Sequence, residues 1–319
     1  MSARAYYNEI EPAAAHLLRA LIARNIIMPG EVDTRSIKDV QPDDLMGFTF
    51  VHSERLVTNA SGYRRIPVMQ IGADIYCDSH CILREIQRRY PEPTFTPGGA
   101  DGLPWAINRW SDHVFEHAVR LSLGANADQL PDEFAKDRAR LFLGPDGDVA
   151  ALKHDVAHLA AQVRAQFAWI DERLRGGRRF LLGDAPSVSD AACYYLVWFV
   201  RGRWSGGAAM LARFPSLEAW EQRVKDIGHG RPVTTTAEEA MEVARAAVPM
   251  TPEHHDPYDP QELIPGQKVT VTPDIDSGEP PVEGIVRHVD FERIALLRDD
   301  LEVGKVCVHF PRLGYRVRT

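Results

Sequence analysis

Hydrophobic positions change period along the chain, and those changes divide it into regions. Over 12–25 a short helical pattern holds, with Ala14, Leu17, Leu18, Leu21 and Ile22 on one stripe and Pro12 in the first turn. The polar stretch GEVDTRSIKDVQPDDL follows. Between 62 and 98 the period shortens. RIPVMQIG and DIYCD are short runs rich in β-branched residues on either side of Gly72-Ala73, which predicts a hairpin. A helix is expected from Ser79, with Ile82, Leu83, Ile86 and Tyr90 on one face and Pro91 as its stop.

From 103 to 248 the pattern is helical almost throughout. Val156, Leu159, Ala160, Val163, Phe167, Ile170 and Leu174 form a stripe that Gly176-Gly177 ends. SVSDAACYYLVWFV is apolar nearly all round and predicts a central helix buried on every side. FPSLEAWEQRV and AEEAMEVARAAV supply later helices, and RGRWSGG (201–207) reads as a flexible loop. Five prolines between Pro249 and Pro265, beside an exposed His254-His255, mark a linker. KVTVT, VEGIVRHV, RIALLR and KVCVHF then suit a small barrel or curled sheet of roughly fifty residues, near the lower limit for independent stability.

Composition narrows the function classes. The chain has 319 residues, 45% hydrophobic and 26% charged, enough for two or three soluble domains. Its formal charge of −8 argues against a nucleic-acid partner, which asks for a basic surface. There is no apolar run of membrane length and no hydrophobic signal core, so a cytoplasmic protein with no membrane contact is expected. Four cysteines do not make a disulfide framework in a chain this long.

Two of those cysteines sit in Cys77-Asp78-Ser79-His80-Cys81. A structural zinc site needs four ligands, and no second Cys/His pair stands nearby. A thiol redox motif would place two residues between the cysteines, where this chain has three. They are read as small half-buried residues, and no metal is expected. The neighbours carry more. Pro67 at the start of a strand belongs on an edge or in a turn, where a cis bond is available to it. Asp78-Ser79 stands where a strand hands over to a helix, so the orphan amides and the Ser79 hydroxyl form a carboxylate receptor. A plain N-cap uses the same residues.

In order, Ile66-Pro67, the hairpin and Asp78-Ser79 resemble the second half of the thioredoxin-like domain of a glutathione S-transferase. FLLGDAPSVSDAA resembles the family's helix-starting segment, with Ser187 and Asp190 at capping-box spacing. RFPSLEAWEQRV resembles a late helix of the same all-α domain, and the resemblance covers about 60–248. It implies that the backbone at Ile66, beside Pro67, pairs with the cysteinyl part of glutathione. It also implies that Asp78 and Ser79 receive the γ-glutamyl end. Ser187 and Asp190 would be structural. Trp105, Arg109, Trp110 and His113 recur on the first long helix, which in the family flanks the electrophile cleft; an aromatic core stripe accounts for the same spacing. Arg64 and Arg65 would meet a glutathione carboxylate or simply be solvated.

The family's catalytic Tyr, Ser or Cys lies in a strand–helix–strand unit ahead of the Pro67 equivalent. Here that span, about residues 5–49, resembles the leader of phage-type cytosine-5 DNA methyltransferases, without the glycine-rich cofactor loop that should follow. Either the leader is foreign to the transferase, or it fills the place itself. In the second reading AYY and EVDTRSI are strands, 12–25 is the helix, and Tyr6, Tyr7 or Asn8 lies near the thiol. The catalytic residue stays unassigned.

The expected architecture is α+β and multidomain. A modified thioredoxin-like α/β half spans 1–98, with an atypical leader at 1–49. An all-α glutathione S-transferase C-terminal-like domain spans 99–248. A Pro-rich linker, 249–266, leads to a small C-terminal β-barrel-like module, 267–319. The implied function is conjugation or reduction of a small electrophile with glutathione as co-substrate, in a homodimer. The alternative is a non-catalytic glutathione-binding or protein-interaction module.

Overall fold

The computed structural model describes residues 5–8, 30–33, 63, 65, 67–97, 102–228, 237–275 and 279–319. Two compact units emerge, one from Met1–Tyr90, His229–Ile275 and Glu279–Thr319, the other essentially Pro91–Gly228.

In the first unit, strands β1 (Ala5–Asn8) and β2 (Gly30–Asp33) pair in parallel, with Ala5 opposite Gly30 and Asn8 opposite Asp33. Parallel neighbours require a crossover connection. The helix expected over 12–25 lies outside the described residues. Strands β3 (Val68–Ile71) and β4 (Asp74–Cys77) form the expected hairpin around Gly72-Ala73, with Ile71 opposite Asp74. Gly72 takes a φ of +63°, a conformation that a side chain would strain. Helix α1 (Ser79–Arg89) follows and buries His80, Cys81, Ile82, Glu85 and Ile86. Tyr90, expected on that inner face, is 55% exposed, because the helix ends one residue before it.

The C-terminal strands depart from expectation. β5 (Lys268–Pro273), β6 (Val282–Val289), β7 (Arg293–Asp300), β8 (Gly304–Pro311) and β9 (Tyr315–Arg318) do not close into a separate barrel. They join the hairpin in one seven-stranded sheet of order β3-β4-β8-β7-β6-β5-β9. β8 pairs in parallel with β4, Asp74 opposite Cys307 and Tyr76 opposite His309. A module of this size stands near the lower limit for independent stability. Here Val68, Ile75 and Cys77 of the hairpin share one core with Val269, Val286, Ile294, Leu296, Val308 and Phe310. The junction covers an edge of β4 that would otherwise expose unpaired backbone groups. From Val306 onward β8 is buried at every residue, as a central strand should be.

The proline-rich stretch is not a free linker either. The His254 amide donates to the Arg287 carbonyl at 3.2 Å, the Val289 amide donates back to the His254 carbonyl at 3.0 Å, and Leu263 is buried in the shared core. Helix α8 (Ala237–Ala246), expected with the helical region, packs on β8.

The second unit holds helices α2 (Leu103–Asn126), α3 (Asp132–Leu143), α4 (Val156–Leu174), α5 (Val188–Arg203), α6 (Gly207–Leu211) and α7 (Pro215–Ile227). Val163 and Phe167 of the α4 stripe are fully buried with Val114, Leu121, Leu196, Val197, Leu217 and Trp220. Ser187 and Asp190 form a capping box at the start of α5. One oxygen of Asp190 accepts from the Ser187 amide at 2.9 Å and the Ser187 hydroxyl at 2.7 Å. The other accepts from the Leu181 amide at 2.9 Å and the Trp220 indole at 2.8 Å. The 201–207 segment is a tight helix joint and not a flexible loop: a Cβ on Gly207 would stand 2.3 Å from the Val200 carbonyl oxygen.

Candidate functional site at the start of helix α1

Strand β4 ends at Cys77, and Asp78 turns the chain into α1. Asp78 does this at φ 75° and ψ 140°, a region that glycine favours and a side chain resists by about 1–3 kcal/mol. What holds it there is its carboxylate. Oδ1 accepts the His80 amide at 2.9 Å, and Oδ2 accepts the Tyr315 hydroxyl at 3.0 Å. Asp78 and Ser79 are both half-buried, open to solvent at the mouth of an eleven-residue helix. The first-turn amides and the positive end of the helix dipole favour an anion at Ser79, while Asp78 beside it attracts a cation. An amino acid carries both charges on one carbon.

Behind Asp78 lies a hydrogen-bonded pair of phenols. The hydroxyl of Tyr63, a buried residue, bonds that of Tyr315, and its ring meets the edge of Phe310 at 5.6 Å. Burial, and then the charge of Asp78, push both phenols well above their ordinary pKa, so both keep their protons. Arg65 is not a solvated charge. Its Nε lies 2.8 Å and its Nη2 2.5 Å from the same oxygen of Glu279, whose side chain is 4% exposed.

A second polar group lies where β4 pairs with β8. The β4–β8 register brings Asp74, Cys307 and His309 together, all buried, with candidate ligand atoms within 4.8 Å of one another. Donor types of this kind suit zinc. The geometry reads more simply as a hydrogen-bond network. Asp74 accepts from His309 Nε2 at 3.0 Å, from the Thr251 hydroxyl at 2.7 Å and from the Met250 amide at 2.8 Å. Burial works against the Asp74 charge, but those donors outweigh it and hold its pKa below the usual carboxylate value. Burial keeps His309 neutral, with its pKa lowered despite Asp74. Burial, reinforced by Asp74, pushes the Cys307 thiol up to about 12, away from the thiolate that a metal would need.

The remaining sequence-derived candidates are placed as follows. Ile66 and Arg64 lie outside the described residues, and so does the peptide joining Ile66 to Pro67; Pro67 is exposed directly before β3. Tyr6, Tyr7 and Asn8 stand on β1, opposite Glu31, Val32 and Asp33. On α2, Trp105 is buried. Arg109 is exposed and bonds Asp112 at 2.9 Å, Trp110 leans on Trp169 at 6.3 Å, and exposed His113 meets the edge of His117 at 4.7 Å. Cys77, Cys81, Cys193 and Cys307 are all buried, and none is in a disulfide. Tyr63, Tyr315 and Glu279 are missed by local reading. Tyr315 and Asp78 are 237 residues apart, and no periodicity links them.

Comparison with known proteins gives a consistent outline. Residues 150–223 match the glutathione S-transferase C-terminal domain. No curated protein matches the chain. The structure is similar to that of a GST-like protein from Pseudomonas syringae, with 28% identity, a TM-score of 0.67, and coverage of 85% of this chain and 88% of that one. A glutathione S-transferase from Methylobacterium radiotolerans, solved with glutathione sulfonate, is 20% identical over 73% of this chain and 97% of its own, at a TM-score of 0.47. A glutathione transferase family member from Pseudomonas fluorescens, solved with two glutathione bound, is 12% identical over 70% and 92%, at a TM-score of 0.49. The fold is GST-like, with a thioredoxin-like sheet and a helical C-terminal domain. Among the described residues no helix is long and apolar enough to cross a membrane.

Proposed function

We propose that the start of α1 receives the γ-glutamyl end of glutathione, and that the protein delivers the glutathione thiolate to a small electrophile by conjugation or reduction. One observation carries this reading. Asp78 stands half-buried beside Ser79 and the first amides of α1, in a backbone conformation that costs stability and that glycine would relieve. The γ-glutamyl carboxylate would meet Ser79 and the helix start, and its ammonium would meet Asp78. The match to a glutathione S-transferase C-terminal domain and the likeness to the Pseudomonas syringae protein support the same class.

On this reading the backbone at Ile66, beside Pro67, pairs with the cysteinyl part of the peptide. Delivery of the thiolate needs a donor that favours the ionised thiol over its ordinary pKa of about 8.5. Tyr6, Tyr7 and Asn8 on β1 are the residues from which that donor would come. Arg109, Trp110 and His113, rather than the buried Trp105, would face the electrophile. The working unit would be a homodimer, which sedimentation would detect.

Calorimetry with glutathione on the unaltered chain and on Ser79→Ala, followed by an aryl-halide turnover assay, tests the proposal. Binding that weakens on Ser79→Ala, together with turnover, is expected. Binding without turnover assigns a glutathione-binding module instead. No heat of binding removes the reading.

A further inference from the structure

The geometry points to a further binding site, wholly inside the helical unit, that takes a flat aromatic anion. It is lined by α4, the end of α5 and α6, and it does not depend on the glutathione reading.

Ala157, Ala160, Ala161 and Arg164 recur at helical spacing on one face of α4. The other lining comes from Trp204, which caps the end of α5, from Met210 of α6 and from Arg213 just past it. Together they enclose an open groove of about 520 Å³. Sites for small molecules run from roughly 300 to 1,000 Å³. Short side chains on α4 leave this space, which a face of leucines would fill. Gly206 shapes the other wall. A Cβ there would stand 2.4 Å from Trp204 Cζ2, so the indole keeps its place against the backbone only because the residue is glycine.

Charge selects the occupant. Other arginines of this unit are held, Arg109 by Asp112, Arg175 by Asp171 and Arg201 by Glu221. Arg164 and Arg213 are exposed, and among the described residues neither side chain has an ion-pair or hydrogen-bond partner. No acidic side chain is among the described residues that line the groove. A guanidinium makes paired bonds to a carboxylate or similar oxyanion. An indole takes an aromatic ring stacked or edge-on, and a thioether favours the same ring. A small arene bearing a carboxylate or sulfonate uses both features, its ring on Trp204 and Met210 and its anion on Arg164 and Arg213. A purely apolar partner would leave both guanidinium groups unmatched.

Anilinonaphthalene sulfonate, whose fluorescence reports an apolar site, and phenylnaphthylamine, the same arene without the sulfonate, are the probes. The unaltered chain should bind the sulfonate in the micromolar range and prefer it to the neutral probe. Arg164→Gln and Arg213→Gln should each weaken the sulfonate about two- to five-fold, and together about ten-fold, the scale of exposed ion pairs. The neutral probe should change by less than about two-fold in the same variants. Added salt should likewise weaken only the sulfonate. Ala209→Leu, at an exposed helical position on the groove, should weaken both probes by filling it. All three positions are exposed, so the variants should keep the urea midpoint of the unaltered chain. The inference is overturned if the unaltered chain does not bind the sulfonate in that range, or if the double arginine variant binds it unchanged or loses both probes alike. Unchanged binding by Ala209→Leu would also overturn it. So would sedimentation showing a dimer that Ala209→Leu dissociates, since the groove would then be a contact between two copies of the chain.

Discussion

Asp78→Gly sets local stability against binding. Glycine adopts φ 75° freely, so the substitution relieves about 1–3 kcal/mol of backbone strain. Exchanging an N-cap aspartate for glycine costs only a few tenths of a kcal/mol. The bond from Tyr315 is lost, at roughly 1.5–3 kcal/mol for a charge-assisted hydrogen bond, partly recovered because the site is half-open to water. These terms nearly cancel, so the urea midpoint should move by no more than the equivalent of about 1–2 kcal/mol in either direction. Glutathione binding should nevertheless disappear, because the ammonium loses its counter-charge. The assay is paired denaturation and calorimetry on one preparation. Destabilisation beyond about 3 kcal/mol would show Asp78 to be an ordinary folding residue, and retained binding would show that the carboxylate does not meet the peptide.

Asp190→Ala strips the partners from the Leu181 amide and the Trp220 indole in a buried setting and should cost at least about 3 kcal/mol by urea denaturation; a loss under about 1 kcal/mol would contradict the assigned geometry. Stability should decline on acidification in two stages. His309 has a lowered folded pKa, so the unfolded chain takes up its proton first and stability is lost as pH falls below the ordinary histidine value of about 6.5. Asp74 and Asp290 also have lowered folded pKa values. For Asp290, burial is outweighed by His288 and backbone donors, holding it at about 2, so the stability that both provide above the ordinary carboxylate value is lost as pH falls below about 4. Denaturation across pH would check both stages, and a flat profile from pH 7 to pH 5 would remove the histidine stage. Native protein should release no thiol to a chromogenic disulfide within minutes, since all four cysteines are buried and burial raises the thiol pKa of Cys81 and Cys193; one fast-reacting equivalent would refute this.

The parts of the molecule that were legible in the sequence are those whose causes lie within a few residues. Gly72-Ala73 between two β-branched runs marks a hairpin because a two-residue turn needs a positive φ. Asp78-Ser79 marks a helix start because a short acceptor suits an N-cap, and the 156–174 stripe repeats at the helical period. What was not legible depends on distant pairing. Nothing in KVCVHF says that it will lie parallel to DIYCD, so the C-terminal strands read as a separate module when they complete the hairpin's sheet and core. The prolines from Pro249 to Pro265 exclude ordinary helix but not a chain laid along a sheet, which is what His254 does. Tyr63 and Tyr315 look like unremarkable aromatics until the sheet brings them to Asp78. The α2 candidates do not share one surface, for a different reason. Positions 105, 109, 110 and 113 spread around more than a third of a helical turn, and the structure buries Trp105 while exposing Arg109 and His113.

The most direct measurement is a crystal structure of the chain with glutathione bound. The account predicts the γ-glutamyl ammonium within hydrogen-bond distance of Asp78, its carboxylate on the Ser79 hydroxyl and the first amides of α1, and the Tyr315 bond to Asp78 retained. A tripeptide bound elsewhere, or one whose γ-glutamyl end points away from α1, would contradict it.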